Sequence, residues 1–153
     1  MEIRKLTDSR EKQQVTRAIL EALPEWFGIP EAREEYIRES GDRLFFCACD
    51  AERPVGFLYL KETGRATAEL YVMGVLKEYH RQGIGRRLFQ SAKQAAREAG
   101  YSFLQVKTVQ MGKYKEYDQT NRFYLSLGFQ EFEVFPTLWD EWNPCQVYVL
   151  PLR

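Results

Sequence analysis

The pattern of hydrophobic and polar side chains along the 153 residues predicts short strands and amphipathic helices in one continuous series. Apolar residues at every second position, or in short runs, predict seven strands, at residues 2–7, 44–49, 55–60, 68–76, 103–109, 129–135 and 146–150. Apolar residues at helical spacing predict four helices, at residues 8–23, 31–39, 84–99 and 120–127. The resulting order, βααβββαβαββ, is typical of one α+β domain over residues 1–153 with a mixed sheet.

Single residues mark where these elements begin, end or bend. Asp8 followed by Glu11 predicts a capping box at the start of the first helix, and Pro24 ends that helix. Gly100 provides the stop after the third helix. Gly74 lies inside a predicted strand, which indicates a bulge or a close backbone approach.

The composition is that of an ordinary globular protein, with 44% hydrophobic and 29% charged residues. No apolar run approaches the roughly 20 residues of a membrane span, and the first residues lack the apolar stretch of an export signal. We therefore expect a cytoplasmic protein with no membrane partner. The 22 basic and 22 acidic residues balance, which argues against nucleic-acid binding. We expect Cys47 and Cys49 to be buried reduced thiols on one strand face, and a single histidine predicts no zinc site.

The most informative segment runs from Val75 to Leu88 and reads as a strand, a short turn, Gly-x-Gly and a helix. Free N–H groups and a partial positive charge occur at such a helix start. Gly83 and Gly85 would allow positive φ and leave room for a ligand to touch the backbone. Three arginines, at positions 81, 86 and 87, would oppose the helix dipole unless an anion completes the site. The segment therefore predicts a pyrophosphate site, with a plain tight turn as the alternative.

Two common phosphate motifs do not fit this segment. A Walker A loop needs Gly-Lys-Ser/Thr, whereas Gly85 is followed by Arg86. A dinucleotide fingerprint needs a third small residue at position 88, which is Leu88, and an acidic residue at the end of the next strand, which ends at Val109-Gln110.

From about Ile3 to Leu150 the chain resembles the GCN5-related N-acetyltransferase (GNAT) family. The family pattern Arg/Gln-x-x-Gly-x-Gly/Ala matches here, except that His80 stands at the Arg/Gln position. The segment Thr120-Asn-Arg-Phe-Tyr-Leu-Ser-Leu-Gly-Phe129 is similar to a second family motif, Ala/Thr-Asn-x-Phe-Tyr-x-x-x-Gly-Phe. The resemblance implies a single-domain fold with a mixed, mostly antiparallel central sheet flanked by helices. It also implies that the following residues bind acetyl-coenzyme A: Val75, His80, Arg81, Gln82, Gly83, Ile84, Gly85, Arg86 and Asn121.

The implied reaction moves an acetyl group from acetyl-coenzyme A to a primary amine, by direct attack through a tetrahedral intermediate and without a metal. A protonated amine cannot attack, so a base is needed, and Glu69 falls where some relatives carry a glutamate base. Its alternative is an exposed strand carboxylate. The bulged strand near Gly74 is where relatives expose an amide for the oxyanion, here that of Met73. Tyr124 would protonate the leaving thiolate, with core packing as the alternative.

The acceptor side is predicted from aromatic residues in loops: Trp26, Phe27, Tyr117 and Trp139. The alternative for the loop around Trp139 is a hydrophobic lid or a contact in a homodimer. Residues 77–107 carry a local charge of +5, and residues 123–152 carry −4. The basic segment suits a polyphosphate coenzyme, and the acidic segment suits an amine acceptor. We expect this acceptor to be a small molecule, with a protein amine as the alternative. The competing function is a non-catalytic acyl-coenzyme A-binding sensor or assembly module, which would need neither an acid nor a base.

Overall fold

A computed structural model describes the whole chain, from Met1 to Arg153. The strands are β1 (Glu2–Leu6), β2 (Leu44–Asp50), β3 (Arg53–Gly64), β4 (Thr67–Val75), β5 (Phe103–Val109), β6 (Gln130–Phe135) and β7 (Cys145–Pro151). The helices are α1 (Ser9–Glu21), α2 (Pro30–Ser40), α3 (Ile84–Glu98) and α4 (Lys115–Ser126), with a 3₁₀ turn at Lys77–Tyr79. The predicted α+β class and order of elements are confirmed.

All seven strands form one sheet in the order β1-β2-β3-β4-β5-β7-β6. Every neighbouring pair is antiparallel except β4 and β5, which run parallel. This parallel pairing is short, because it joins only Thr67–Glu69 to Phe103–Gln105. The rest of β4 therefore diverges from the rest of β5, and the sheet opens between them.

Helices α1 and α3 cover opposite faces of the sheet. A side chain built at Gly74 of β4 would lie 3.1 Å from Ile19 of α1. The next residue, Val75, pairs with Gly56 of β3, where a built side chain would lie 3.4 Å from Ile84 of α3. Because successive strand residues point to opposite faces, the two helices enclose β3 and β4 from both sides.

A continuous core of 31 buried residues fills both layers. The side of α1 that faces the sheet includes Val15 and Leu20, whereas Ala18 and Ala22, which the spacing placed in its stripe, are exposed. The helix buries its larger apolar side chains and leaves these alanines exposed, because burying leucine removes more apolar surface from water than burying alanine. Three buried aromatic side chains of β2 and β3, Phe45, Phe57 and Tyr59, stack with ring centroids 5.5–6.2 Å apart.

The bulge in β4 is at Tyr71, not near Gly74 as predicted. Tyr59 of β3 pairs with Val72 and the next residue pairs with Leu70, so Tyr71 has no partner across the ladder. Gly74 is in register with β3. Its missing side chain makes room for α1, so this glycine reflects close packing and the predicted location of the bulge is wrong.

Helix α4 begins at Lys115, earlier than the predicted start at Thr120. The prediction followed apolar spacing, but the first turn of α4 is polar. Glu116 and Asp118 lie in this turn, where acidic side chains favour the positive end of a helix. Asp118 also accepts a hydrogen bond of 2.7 Å from the N–H of Gly112. The loop before α4 is correspondingly shorter than expected.

The three cysteines are buried free thiols, and the sulfur atoms of Cys47 and Cys49 lie 3.7 Å apart on one face of β2. None of the helices combines the length and the apolar character that crossing a membrane requires.

Candidate active site

A cavity of about 1090 Å³ opens where β4 and β5 diverge. Its walls come from the segment between α1 and α2, from α2, from the end of β4, from the turn before α3 and from α4. Most of the residues predicted from the sequence line it: Trp26, Phe27, Met73, Val75, His80, Arg81, Gly83, Ile84, Gly85, Arg86, Tyr117, Tyr124 and Trp139. Three predicted residues do not line it: Glu69, Gln82 and Asn121.

The turn that leads into α3 presents a row of free backbone N–H groups. None of the N–H groups from Arg81 to Arg86 donates a hydrogen bond to another atom of the protein. Arg81 and Gly83 adopt left-handed φ angles of 64° and 78°, and no side chain caps the helix. Because N–H groups at a helix start carry partial positive charge, this turn is suited to hold an anion.

Gly85 differs from Gly83, because only Gly83 uses the positive φ that glycine allows. Gly85 lies in regular helix. A side chain built on it would lie 3.0 Å from the Cζ atom of Phe123 in α4. The absence of a side chain at Gly85 therefore lets α3 and α4 approach each other.

The arginines near this turn have different partners. Arg81 makes no hydrogen bond within the protein, while Arg86 donates one of 3.2 Å to the hydroxyl of Ser126. Arg87 donates two bonds of 3.2 Å to the carbonyl of Met1 and does not line the cavity. Of the three predicted cations, only Arg81 and Arg86 therefore face the site.

His80 ties the turn to the end of β4. Its Nε2 atom lies 2.6 Å from the carbonyl oxygen of Val75, so this nitrogen carries the proton and donates. The ring of Trp26 contacts the imidazole edge-on, with centroids 5.9 Å apart. His80 thus positions the turn through a backbone contact, which the family's arginine or glutamine would have to make differently.

The end of β4 offers a second row of free backbone groups. The N–H of Leu76 donates to the carbonyl of Val55 in β3 at 2.9 Å. Because antiparallel pairs alternate, residues at odd positions in this stretch, such as Met73 and Val75, direct their N–H and C=O groups away from β3. On that side β5 has already diverged, so the N–H of Met73 is open to the cavity.

Glu69 is buried behind the wall of the cavity, with only 4% of its surface exposed. Its carboxylate accepts a hydrogen bond of 3.0 Å from the Nζ atom of Lys107, which does line the cavity. Burial raises the pKa of Glu69, while the ammonium of Lys107 acts in the opposite direction. The alternative of an exposed strand carboxylate is excluded, and any contact of Glu69 with a ligand passes through Lys107 or water.

Tyr124 lies in α4 with its ring packed between Phe129 and Tyr148, at centroid distances of 5.9 and 6.2 Å. Tyr124 lines the cavity, and its hydroxyl has no hydrogen-bond partner in the protein. Burial raises the pKa of Tyr124, and the negative charge of Glu69 adds to this shift. The hydroxyl is therefore protonated at neutral pH and can donate a proton.

Asn121 has a structural place that the motif did not indicate. It is fully buried, and its amide donates to the carbonyls of Val109 and Tyr117 at 2.9 and 2.7 Å. Its oxygen accepts from the hydroxyl of Tyr148 at 2.5 Å. Asn121 thus joins α4 to β5 and β7, and neither of its N–H donors is free for a ligand.

The predicted aromatic residues come together on one wall. The hydroxyl of Tyr117 in α4 donates to the carbonyl of Trp26 at 3.3 Å, which joins α4 to the segment before α2. Phe27 packs edge-on against Tyr36 of α2, with centroids 6.2 Å apart. Trp139 also lines the cavity but is 47% exposed, so the lid and dimer alternatives for its loop stay open.

The charge of the lining differs from the acidic acceptor side expected from the sequence. Five arginine and lysine side chains line the cavity, against three acidic ones. Of the acidic residues between 123 and 152, only Asp140 reaches the lining, and it already accepts the N–H groups of Trp142 and Asn143 at 2.8 Å. The side chains of Glu131 and Glu133 lie on the exposed strand β6.

Sequence reasoning missed several lining residues, namely Arg33, Tyr36, Tyr71, Lys107 and Arg122. A signal existed for Tyr71, because strand alternation placed it on the face of Glu69 and Met73. No such signal existed for Arg33, whose predicted helix read as a charged, solvent-exposed one.

Comparison with known proteins agrees with this geometry. The family model described as acetyltransferase (GNAT) domain matches residues 41–131, more than half of the chain. N-acetyltransferase 8B from Rattus norvegicus is 31% identical over 108 residues, which are 67% of this chain and 42% of that protein. The chain thus spans about two fifths of the length of this relative.

Solved structures show the same fold. A GNAT-family protein from Desulfovibrio desulfuricans superposes with a TM-score of 0.86 at 20% identity, covering 99% of both chains. An aminoglycoside 6′-N-acetyltransferase complexed with coenzyme A superposes with a TM-score of 0.78 at 18% identity, covering 100% of this chain and 98% of that one. On the strength of the family match and the shared fold, the chain belongs to the GNAT acetyltransferase family.

Proposed function

We propose that this protein is an acetyl-coenzyme A-dependent N-acetyltransferase that acts on a primary amine of a small molecule. The observation that carries the proposal is the row of free N–H groups from Arg81 to Arg86. Five of these six residues line the same cavity as the open edge of β4 and Tyr124. The neighbouring aminoglycoside acetyltransferase, which was solved with coenzyme A, supports the choice of ligand.

The chain offers two sets of groups to the coenzyme. The N–H groups of residues 81–86 suit a pyrophosphate, and the side chains of Arg81 and Arg86 add positive charge. The N–H and C=O groups of Met73 and the N–H group of Val75 suit the amides of the pantetheine arm, which can extend along β4 as a strand would. Bound there, acetyl-coenzyme A supplies an acetyl group activated as a thioester.

Two side chains, Glu69 and Tyr124, would accept and donate the protons that the reaction moves. An alkyl amine with a pKa of about 10.4 is protonated at neutral pH and must lose a proton before its nitrogen can bond to the acetyl carbon. Glu69 takes this proton through Lys107 or through water, because it does not line the cavity itself. Tyr124 gives a proton to the sulfur as the carbon–sulfur bond breaks. The N–H of Met73 stabilises the negative charge on the acetyl oxygen.

The limited size of the cavity supports a small acceptor. Side chains of Trp26, Phe27, Tyr36 and Tyr117 border a cavity of about 1090 Å³, just above the usual range of about 300–1,000 Å³ for small-molecule sites. Part of this volume is needed for the coenzyme. The remaining room suits an amine of modest size.

A coenzyme-binding measurement and a turnover assay together test the proposal. We expect calorimetry to show binding of acetyl-coenzyme A and a thiol-release assay to show turnover with members of a panel of primary amines. Absence of coenzyme binding would overturn the proposal. Binding without turnover of any amine would favour the non-catalytic sensor, since such a module needs the turn but not Glu69 and Tyr124.

A further inference from the structure

Arg33 is a cation in the cavity that the protein leaves without a carboxylate partner. It lies in the first turn of α2 and lines the cavity beside Phe27. One Nη1 donor reaches the carbonyl of Phe27 at 3.2 Å, and the buried Nε atom has no acceptor at all. No acidic side chain lies within salt-bridge distance of this guanidinium.

Folding alone gives no reason to keep this arrangement. A buried N–H without an acceptor destabilises the folded state, and a cation near the start of a helix opposes the helix dipole. The adjacent Glu34 does not compensate, because both of its oxygens accept hydrogen bonds from Arg17, at 2.7 and 2.8 Å. The free donors of Arg33 are therefore available to an anion from outside the chain.

The other four cations of the lining differ from Arg33, and one of them, Arg122 of α4, is exposed to solvent. Lys107 is paired with Glu69. Arg81 and Arg86 belong to the turn and to the start of α3, which face the coenzyme. Arg33 comes from α2, and the bond to Phe27 fixes it at the aromatic wall assigned to the acceptor. The anion that it meets is therefore part of the acceptor.

We propose that Arg33 binds a carboxylate of the acceptor, so that the amine substrate is an amino acid or a closely related amino carboxylate. This assignment rests on the proposed function. A single guanidinium matches one carboxylate in charge, and its planar edge can donate two parallel hydrogen bonds to it. The nearby rings of Phe27 and Tyr36 suit an apolar side chain. A polycationic acceptor such as an aminoglycoside would instead place positive charge against Arg33.

The test uses ligands that share an amine and differ in the carboxylate. Two sets are phenylalanine, phenylalanine amide and 2-phenylethylamine, and leucine, leucine amide and 3-methylbutylamine. Affinity is measured by calorimetry with coenzyme A present, and turnover by thiol release with acetyl-coenzyme A. The variants are Arg33→Gln and Arg33→Lys. Arg38→Gln is the matched control, because Arg38 is an exposed arginine of the same helix that pairs with Glu35.

We expect the carboxylate member of at least one set to bind about 10- to 100-fold more tightly than its amide. Arg33→Gln should remove this preference, Arg33→Lys should retain part of it, and Arg38→Gln should leave it unchanged. Acetyl-coenzyme A affinity should be the same in all variants, which shows that they are folded. Equal binding of carboxylate and amide by the native protein, or a preference that survives Arg33→Gln, would overturn the assignment.

The two readouts separate this inference from the proposed function. If the carboxylate preference depends on Arg33 but no amine is acetylated, the ligand assignment stands and the proposed catalysis fails. If the native protein acetylates amines without a carboxylate as well as the matching amino acids, and Arg33→Gln changes neither rate, the catalysis stands and the assignment of Arg33 is wrong.

Discussion

At the scale of single residues, Tyr124 combines a buried ring with a hydroxyl that no protein group engages. Packing against Phe129 and Tyr148 holds the ring in place and keeps water away from it. The raised pKa that results keeps the phenol neutral as the pH rises. A neutral phenol at the cavity wall is a proton donor in the range where an acetyltransferase would be assayed.

We expect Tyr124→Phe to lower kcat by about tenfold, less than for a typical general acid, because a thiolate leaves readily without one. Since the pKa of Tyr124 is raised, the ratio of native to variant kcat should stay constant from pH 6 to 9. Pre-steady-state and steady-state assays of both proteins across this pH range measure the ratio. Tyr101→Phe, away from the cavity, is the control, and a ratio that approaches one at alkaline pH would contradict the role.

Glu69 is expected to act as a base only when ionised, and burial raises the pKa through which it ionises. The kcat/KM of the native protein should therefore rise with pH through this raised pKa. Glu69→Gln should lower kcat/KM by about 100-fold at neutral pH and remove this rise. A pH–rate profile from pH 5 to 9 measures both effects, and a variant that keeps the acidic limb would show that another group is the base.

The same substitution should leave the folded state intact. A carboxyl whose pKa is raised by folding stabilises the protein below its ordinary pKa, and this contribution is lost as the pH rises through the raised value. Once the pH exceeds this raised value, no ionisation-linked stability remains for Glu69→Gln to remove. Its Tm should lie within a few degrees of the native value, as should that of Glu133→Gln on the exposed strand β6.

At the scale of elements, the site arises because two parallel strands pair over only three residues each. Beyond Glu69 and Gln105 the strands diverge, and an edge with free backbone groups appears in the middle of a sheet. Normally such groups occur only at the sides of a sheet, where they invite pairing with another chain. The turn before α3 lies at the end of this edge, so a long ligand can contact both.

Substitutions at two glycines separate the effect of backbone strain on stability from the role of the turn in binding. Gly83 and Gly100 both have positive φ, and a side chain built on either would meet nothing within 4 Å. Gly83→Ala and Gly100→Ala should each lower the free energy of unfolding by about 1–2 kcal/mol, since both strain the left-handed backbone equally. Denaturant titration checks this loss.

Only the change at Gly83 should affect the coenzyme, because only that residue belongs to the free N–H row. We expect Gly83→Ala to weaken acetyl-coenzyme A binding by about tenfold or more, since even a small shift misaligns several donors. Gly100→Ala should bind normally in the same calorimetric titration. Equal affinities of the two variants would argue against an anion site at this turn.

At the scale of the whole molecule, a net charge of zero conceals a cavity with an excess of basic side chains. The excess lies around the turn and on α2, while Glu131 and Glu133 carry negative charge on the exposed strand β6. A polyanionic coenzyme is therefore attracted to one region of a neutral protein. Attraction of this kind weakens when salt screens the charges.

The Kd for acetyl-coenzyme A should accordingly rise several-fold between about 0.05 and 0.5 M NaCl. Arg81→Gln should weaken binding at low salt and reduce this dependence, because Arg81 has no partner in the protein and faces the cavity. Arg87→Gln should change little, since Arg87 is bonded to the carbonyl of Met1. Calorimetry at several salt concentrations measures these Kd values. An affinity independent of salt would exclude an electrostatic contribution to coenzyme binding.

Much of the fold could be predicted because its signals are local. Apolar spacing and the residues at element ends depend on neighbours within a few positions, and β5 begins and ends as expected at Phe103 and Val109. The hydrogen bond from Glu11 N to the carboxylate of Asp8, at 2.8 Å, is a contact of the same local kind. Where polar residues carried the signal, as in the first turn of α4, apolar spacing failed.

Consecutive residues encode the series of elements, the turn before α3 and the family motifs, so these features could be predicted from the chain alone. The tertiary structure alone decided that Glu69 is buried behind Lys107, that the bulge falls at Tyr71 and that Arg33 faces the cavity without a carboxylate. These outcomes depend on which distant segments pack together. Burial and pairing are properties of such contacts, and no local pattern records them.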